Sequence, residues 1–344
     1  MKQPKISIII VTWNGQLYIE KCLQSIFNQK LPSEFIDNRK DFFDLLIIDN
    51  NSADHTLSII EDNLQPNITV VKNKQNIGFA KAYNQGIHWT SGKYVLILNQ
   101  DLYLDSNFFI ETLSFLDSYP KVAAVNPTIY KWLESSNEKI IDSLGISFDR
   151  SFRFFNLFEG KKIEKNDNFD IKPVFGFTGT AVIFRRSALY DVAWERQFFD
   201  ESFFAYKEDI DLSWRLRWRN WDIVNLPQAI VYHKRSASQN FNYKKYQLLI
   251  KNYFTKPKFI NYLSYRNHLY CLIKNLSWPL FITNFIFISW YEFKKAVFLI
   301  FIRPHLFFKA WLEIFKNFKI LMKKRKYIFT NKKIKSNGLL LWLK

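Results

Sequence analysis

Ile6-Ser7-Ile8-Ile9-Ile10-Val11-Thr12-Trp13-Asn14-Gly15 decides how this chain is read. Apart from Ser7, residues 6–11 are apolar and β-branched, with no polar alternation. That is the pattern of a strand buried on both faces. Asn14-Gly15 is a turn, and Ile19, Cys22, Leu23, Ile26 and Phe27 then follow helical spacing. The unit repeats. Leu45-Leu46-Ile47-Ile48 is a second strand, closing on Asp49-Asn50-Asn51-Ser52, and Asp54 can cap a helix through Leu57, Ile60 and Leu64. Ile68-Thr69-Val70-Val71 is a third strand, and Gly78 opens a helix carrying Ala82, Tyr83 and Ile87. Tyr94-Val95-Leu96-Ile97-Leu98 is a fourth, ending at Asn99-Gln100-Asp101. Strands alternating with helices predict βαβ units and an α/β fold with a mainly parallel sheet flanked by helices. Ligands of such sheets bind beyond the carboxyl ends of the strands, where Asp49 and Asp101 both fall. Neither G-x-G-x-x-G nor G-x-x-x-x-G-K-[ST] occurs, so dinucleotide and P-loop readings lack their main signal.

The chain has 344 residues, which suits one large domain with an appendage or two modest domains. With 48% apolar residues it is neither disordered nor collagen-like, and two cysteines make no disulfide framework, which fits a reducing compartment. The first apolar run is too short for a signal peptide or a membrane span. The formal charge is +18, and it is unevenly placed. Residues 1–232 carry 26 Lys and Arg against 29 Asp and Glu, whereas residues 233–344 carry 23 against only Glu292 and Glu313. A basic last third points to an anionic membrane surface or a nucleic acid.

The middle of the chain is less regular. Gly176-Phe177-Thr178-Gly179-Thr180 leads into a strand, Ala181-Val182-Ile183-Phe184, and Lys207-Glu208-Asp209-Ile210-Asp211-Leu212 opens a helix through Trp214, Leu216 and Trp218. From about residue 241 basic and aromatic residues interleave, and Leu276 to Tyr291 is uncharged. Those 16 residues include Pro279 and fall short of the roughly 20 that a spanning helix needs. An interfacial helical hairpin or monotopic anchor is the favoured reading. A tilted or re-entrant span and a buried helical subdomain are the alternatives.

Taken singly, the polar candidates have ordinary explanations. Asp54 reads as a cap, Glu208 and Asp209 sit at a helix start where acids belong, and His233 simply follows a strand. Their order and spacing say more. Residues 7–15, Ile47 to Ser52, Asn76-Ile77-Gly78-Phe79-Ala80-Lys81-Ala82-Tyr83-Asn84-Gln85-Gly86, Asn99-Gln100-Asp101, Gly179-Thr180-Ala181 and Phe204 to Leu212 together resemble the inverting nucleotide-sugar transferases of glycosyltransferase family 2, with the GT-A fold. The resemblance covers residues 5–240, and it looks most like the rhamnosyltransferase-type branch of bacterial surface-polysaccharide enzymes.

That resemblance implies a GT-A domain over residues 1–240 and a helical membrane-associating region over 241–344. It implies that Thr12, Asn14, Asp49, Asn76, Gly78 and Asn99 line the nucleotide-sugar pocket. Asp101 and His233 would hold Mn²⁺ or Mg²⁺, with one carboxylate where the usual Asp-x-Asp motif has two. Asp209 would be the general base, supported by Glu208 and Asp211. The implied partners are a nucleotide-sugar donor and a saccharide acceptor carried on a polyprenyl diphosphate. The reaction would then run at the inner face of the plasma membrane, with the enzyme peripheral or monotopic there. Ser264-Tyr265-Arg266-Asn267-His268 resembles the element that follows the catalytic domain in this branch. Lysines would meet the anionic surface, and Trp and Phe would insert at the interface. A nucleic-acid-binding protein with a nucleotide-sensing domain is the different-class alternative, since Lys and aromatic residues also suit single strands. A sugar nucleotidyltransferase is a closer one, but Thr12-Trp13-Asn14-Gly15 is not its Gly-rich basic loop.

Overall fold

The computed structural model describes residues 3–35, 39–133, 138–164, 169–234, 254 and 257–344. The expected boundary at residues 240 and 241 lies outside them. Four strands, β1 (Ile6–Thr12), β2 (Phe43–Asp49), β3 (Ile68–Lys72) and β4 (Tyr94–Asn99), pair in parallel in the order β3-β2-β1-β4. The helices between them are α1 (Ile19–Phe27), a short α2 (Arg39–Phe42), α3 (Thr56–Asp62) and α4 (Phe79–Trp89). The two-sided burial expected of residues 6–11 is what forms. Ile6, Ile8 and Ile10 pack with α1 and α3, while Ile9 packs with α4 on the other face. The helix expected to reach Leu64 ends at Asp62; Asn63 caps it and Leu64 is exposed.

Beyond β4 the sheet becomes mixed. A three-residue strand, β5 (Leu102–Leu104), precedes α5 (Phe108–Ser118), β6 (Val122–Lys131) and β7 (Ile141–Ser143). A hairpin of β8 (Ile146–Phe148) and β9 (Phe154–Asn156) follows, then β10 (Lys172–Pro173), β11 (Ala181–Arg185) and α6 (Arg186–Val192). After α7 (Glu208–Trp218) comes β12 (Asp222–His233). The full order is β10-β12-β6-β11-β4-β1-β2-β3. β11 runs antiparallel to β4 and β6, and β12 runs parallel to β6.

Among the described residues the tail forms the helices Lys258–Asn275, Trp278–Thr283, Phe285–Ile302 and Pro304–Thr330 and a final 3₁₀ turn. Lys258–Asn275 is buried almost all round. It shares one core with Phe148, Phe152, Phe175, Trp214 and Trp218 of the preceding chain. Trp218 Nε1 donates to Asn275 O at 3.1 Å, and Arg219 Nη1 to Asn331 O at 2.8 Å. The uncharged stretch breaks at Asn284, the cap between two helices. Among the described residues no helix is long and apolar enough to cross a membrane.

Candidate active site

The strand ends build the first part of the site. Thr12 pairs with Asp49 and Val11 with Asn99, so β1, β2 and β4 stop level and their turns meet at one edge. Thr12 Oγ1 donates to Gln100 Oε1, which also accepts the Trp13 N–H at 3.0 Å. The Gln100 amide packs directly on Gly15, where a Cβ would displace it. Asp49 is buried, and its two oxygens accept the Ser52 hydroxyl at 2.5 Å and the Ser52 N–H at 3.0 Å. Asn14, at φ 51°, accepts the Ala53 N–H at 2.8 Å and donates its own N–H to Ser52 Oγ at 2.9 Å. The hooked turns leave Trp13 half exposed at the edge. Asn76 Oδ1 accepts the Gly78 N–H at 2.9 Å. Gly78 has φ +83°, and a Cβ there would meet the Phe204 ring and carbonyl at 2.6 Å.

Antiparallel pairing supplies the second part. Ala181 of β11 pairs with Leu98 of β4, and Thr180 O accepts the Asn99 N–H at 3.0 Å. Gly179, one residue earlier, donates its N–H to Asp209 Oδ2 at 3.1 Å, while Asp209 Oδ1 accepts the Ile210 N–H at 2.8 Å. Glu208 stands beside the same glycine, 3.5 Å from where its Cβ would be. The acid pair at the start of α7 thus abuts the Asn99-Gln100-Asp101 edge, although 110 residues separate Asn99 from Asp209 along the chain.

The third part is the end of β12. It runs antiparallel to β5 with His233 opposite Leu102, which brings His233 Nε2 to 3.3 Å from Asp101 Oδ2. Nδ1 lies 2.9 Å from Asp142 Oδ2. Burial works against a charged imidazole, but the hydrogen bonds and charges of Asp101 and Asp142 outweigh it and raise the His233 pKa to about 9.

The two acids of the pair are not equivalent. Burial, then the charge of Asp209, pushes the Glu208 carboxyl well above the carboxylate range. Glu208 Oε2 has no hydrogen-bond partner among the described residues. Burial also raises Asp209, but two backbone N–H groups stabilise its anion and oppose the shift. Asp209 is therefore the better proton acceptor of the two. Asp211, expected to support the base, points elsewhere: it is fully buried and bonded to Arg215 at 3.0 Å, Lys274 at 2.7 Å and Asn275 at 2.8 Å. Two residues along a helix lie about 200° apart, so Asp211 faces away from Asp209 and meets the tail instead. Just before α7, Phe204, Tyr206 and Lys207 all have left-handed backbones, at φ 64°, 68° and 69°. Each costs about 1–3 kcal/mol and persists only where its surroundings hold it.

Residues 7–193, more than half of the chain, match the family model described as Glycosyl transferase family 2. The chain belongs to glycosyl transferase family 2. Among its relatives is a dolichyl N-acetyl-α-D-glucosaminyl phosphate 3-β-D-2,3-diacetamido-2,3-dideoxy-β-D-glucuronosyltransferase of Methanococcus voltae. It is 29% identical over 249 residues, covering 69% of each chain. An uncharacterised glycosyltransferase of Haemophilus influenzae is 23% identical, covering 69% of this chain and 67% of its own. The solved structure of GalNAc-T7 with UDP, GalNAc and Mn²⁺ superposes with a TM-score of 0.55 at 11% identity. That match covers 79% of this transferase but only 48% of GalNAc-T7, and it supports the GT-A fold alone.

The residues of the transferase fit a divalent cation. Asp101 offers a carboxylate, and His233 would offer Nε2 on giving up its proton there to the incoming cation, with Asp142 on Nδ1 orienting the ring. Such a pair suits a hard cation that takes its other ligands from diphosphate oxygens and water. Among the described residues no group of three or more His, Cys, Asp or Glu side chains is placed to hold a metal ion by itself. Asp101→Ala is expected to remove the Mn²⁺ dependence of UDP or GDP binding in calorimetry, and His233→Ala to weaken it less. Unchanged metal dependence in Asp101→Ala would place the cation elsewhere. Two contributors escaped the sequence. Gln100 stood inside a recognised motif without a role, and Asp142, between Ile141 and Ser143, carries no local signal.

Proposed function

We propose that this transferase moves a sugar from a nucleoside-diphosphate donor to a hydroxyl of a lipid-linked saccharide, with inversion, in making cell-surface polysaccharide. The observation that carries the reading is Asp209, half-buried and held by the Gly179 and Ile210 N–H groups beside the Asn99-Gln100-Asp101 edge. The donor would lie over the ends of β1, β2 and β4, against Thr12, Asn14, Asp49, Asn76, Gly78 and Asn99. Asp209 accepts the acceptor's proton as that oxygen bonds to the anomeric carbon and the carbon–diphosphate bond breaks. A single displacement inverts the centre and needs no covalent enzyme intermediate. Burial, then the charge of Asp209, disfavours the Glu208 anion, which would limit negative charge beside the leaving diphosphate. The cation held by Asp101 and His233 would neutralise charge on that leaving group. The name of the Methanococcus voltae relative, a transferase acting on a dolichyl-phosphate-linked sugar, supports a lipid-linked acceptor. Rhamnose is the first donor sugar to try, from the branch that the motifs resemble. Thermal shift against a panel of UDP-, GDP- and dTDP-sugars, with and without Mn²⁺, tests the donor class. No stabilisation by any of them would overturn the reading.

The tail supports a location at the inner face of an anionic membrane. Trp278, Ile286, Trp290, Phe301, Phe308 and Phe315 are each more than half exposed, and the helices Phe285–Ile302 and Pro304–Thr330 that carry the last five also carry lysines. Large apolar side chains left in water next to cations suit a lipid interface. Deleting the tail is not the test, because its first helix completes the core around Trp214 and Trp218. Ile286→Glu with Phe301→Glu and Phe315→Glu changes only exposed positions. The triple variant is expected to bind phosphatidylserine vesicles at least about tenfold more weakly, a loss of about 1.4 kcal/mol or more. Binding to single-stranded DNA but not to vesicles would favour the nucleic-acid alternative.

A further inference from the structure

The segment Ser202 to Lys207 delivers the acid pair, and the tail grips it. Asn267, fully buried in the helix Lys258–Asn275, directs its Nδ2 at the carbonyls of Phe203, Ala205 and Tyr206, at 3.0, 2.8 and 2.8 Å. Two hydrogens serve three acceptors, so one is shared. Its Oδ1 accepts Arg266 Nε and Nη2 at 3.0 and 2.9 Å, which fixes the orientation of the amide. Arg266 Nη2 also donates to Ser202 O at 2.8 Å. Two of these carbonyls, Ala205 and Tyr206, lie in the run Phe204 to Lys207, whose backbone is left-handed at three of four residues, and the other two immediately precede it. Within that run, Phe204 O accepts the Ala80 N–H at 3.1 Å and the Phe204 ring closes over Gly78.

We propose that Arg266 and Asn267 are positioning residues for sugar transfer, holding the Ser202–Lys207 segment so that Asp209 meets Gly179 and Phe204 backs the Gly78 turn. The proposal rests on the reading of Asp209 as general base. Both side chains are buried. They act by keeping a strained segment in the one arrangement that aims the carboxylate, and small displacements of an aimed group cost about 10²-fold in rate. The tail thereby becomes part of the catalytic unit.

The test uses the full chain, with release of nucleoside diphosphate from a panel of UDP-, GDP- and dTDP-sugars as the rate. Asn267→Ala removes the grip. Arg266→Lys keeps the charge beside Glu313 but loses the fork. Circular dichroism and thermal melting establish which variants fold; should Asn267→Ala not fold, Arg266→Lys carries the same outcomes. In the wild-type background each is expected to lower kcat by about 10- to 100-fold. In an Asp209→Asn background, with donor saturating so that any loosening of the Gly78 turn falls on KM, the same substitutions are expected to lower the residual kcat less than twofold, because the carboxylate they aim is already gone. An equal loss in both backgrounds means a scaffold effect and overturns the proposal, as does turnover above half of wild type in folded Asn267→Ala or Arg266→Lys. Near-normal turnover in Asp209→Asn alone is a separate result. It overturns the base assignment, and the positioning role with it.

Discussion

Asp209→Asn is expected to reduce transfer by about 10²–10⁴-fold, the usual effect of losing a general base. Donor binding, measured by calorimetry with UDP or GDP and Mn²⁺, should stay within a few-fold of wild type. The amide keeps the size of the side chain and one acceptor oxygen for the Gly179 or Ile210 N–H, so the turn at Gly179 survives. What is lost is the capacity to take the proton. The pH profile gives a second readout. Burial raises the Asp209 carboxyl above the ordinary aspartate value. The base works only when deprotonated, so the wild-type rate should fall as pH drops, and should begin to fall at a higher pH than an exposed aspartate would give. That acid limb should flatten in the residual activity of the variant. Near-normal turnover in Asp209→Asn would move the role to another group, with Glu208 the next to substitute.

The second large effect is on stability. Lys274→Met should destabilise the protein by about 3–5 kcal/mol at pH 7 in urea unfolding, the usual cost of orphaning a buried charge. Lys274 is buried and bridges Asp200 and Asp211, the latter at 2.7 Å. Lys324 meets Asp200 at 2.6 Å and Arg215 meets Asp211 at 3.0 Å. This network joins the catalytic part to the tail where water cannot compensate a missing partner. Burial alone would raise the Asp200 carboxyl, but Lys274 and Lys324 hold it below the usual range. Asp211 is likewise lowered, by Lys274 and Arg215 against burial. Depressed carboxyls stabilise the folded state above their unfolded pKa, about 3.9, and that stability is lost as pH falls below it. The gap between wild type and Lys274→Met should therefore narrow on acidification. A loss under about 1 kcal/mol at pH 7, or a gap that widens in acid, would show that the network is dispensable.

The amino-acid sequence by itself determined the parallel half of the sheet and the edge where the site lies. Ile6 to Val11, Leu45 to Ile48 and Tyr94 to Leu98 are apolar on both faces, which only strands covered by helices on both sides satisfy. Once those strands run parallel, the residues after them share one edge, so Asp49 and Asp101 were placed by local pattern alone. Tertiary structure decided what no local pattern contains. β5 is too short to have a period, yet its pairing with β12 is what brings His233 to Asp101. Spacing already set Asp211 on a different helix face from the Glu208-Asp209 pair, but only packing gave Asp211 its partner Lys274 and Asp209 its partner Gly179. Arg266 and Asn267 lie about sixty residues from the carbonyls they hold, so their role rests on a contact with no counterpart in composition or spacing. The tail's aromatic residues repeat along its helices without marking a face. One set fills the core around Trp214 while the other stands in solvent, because burial depends on which helix faces which neighbour, and chain order does not record that.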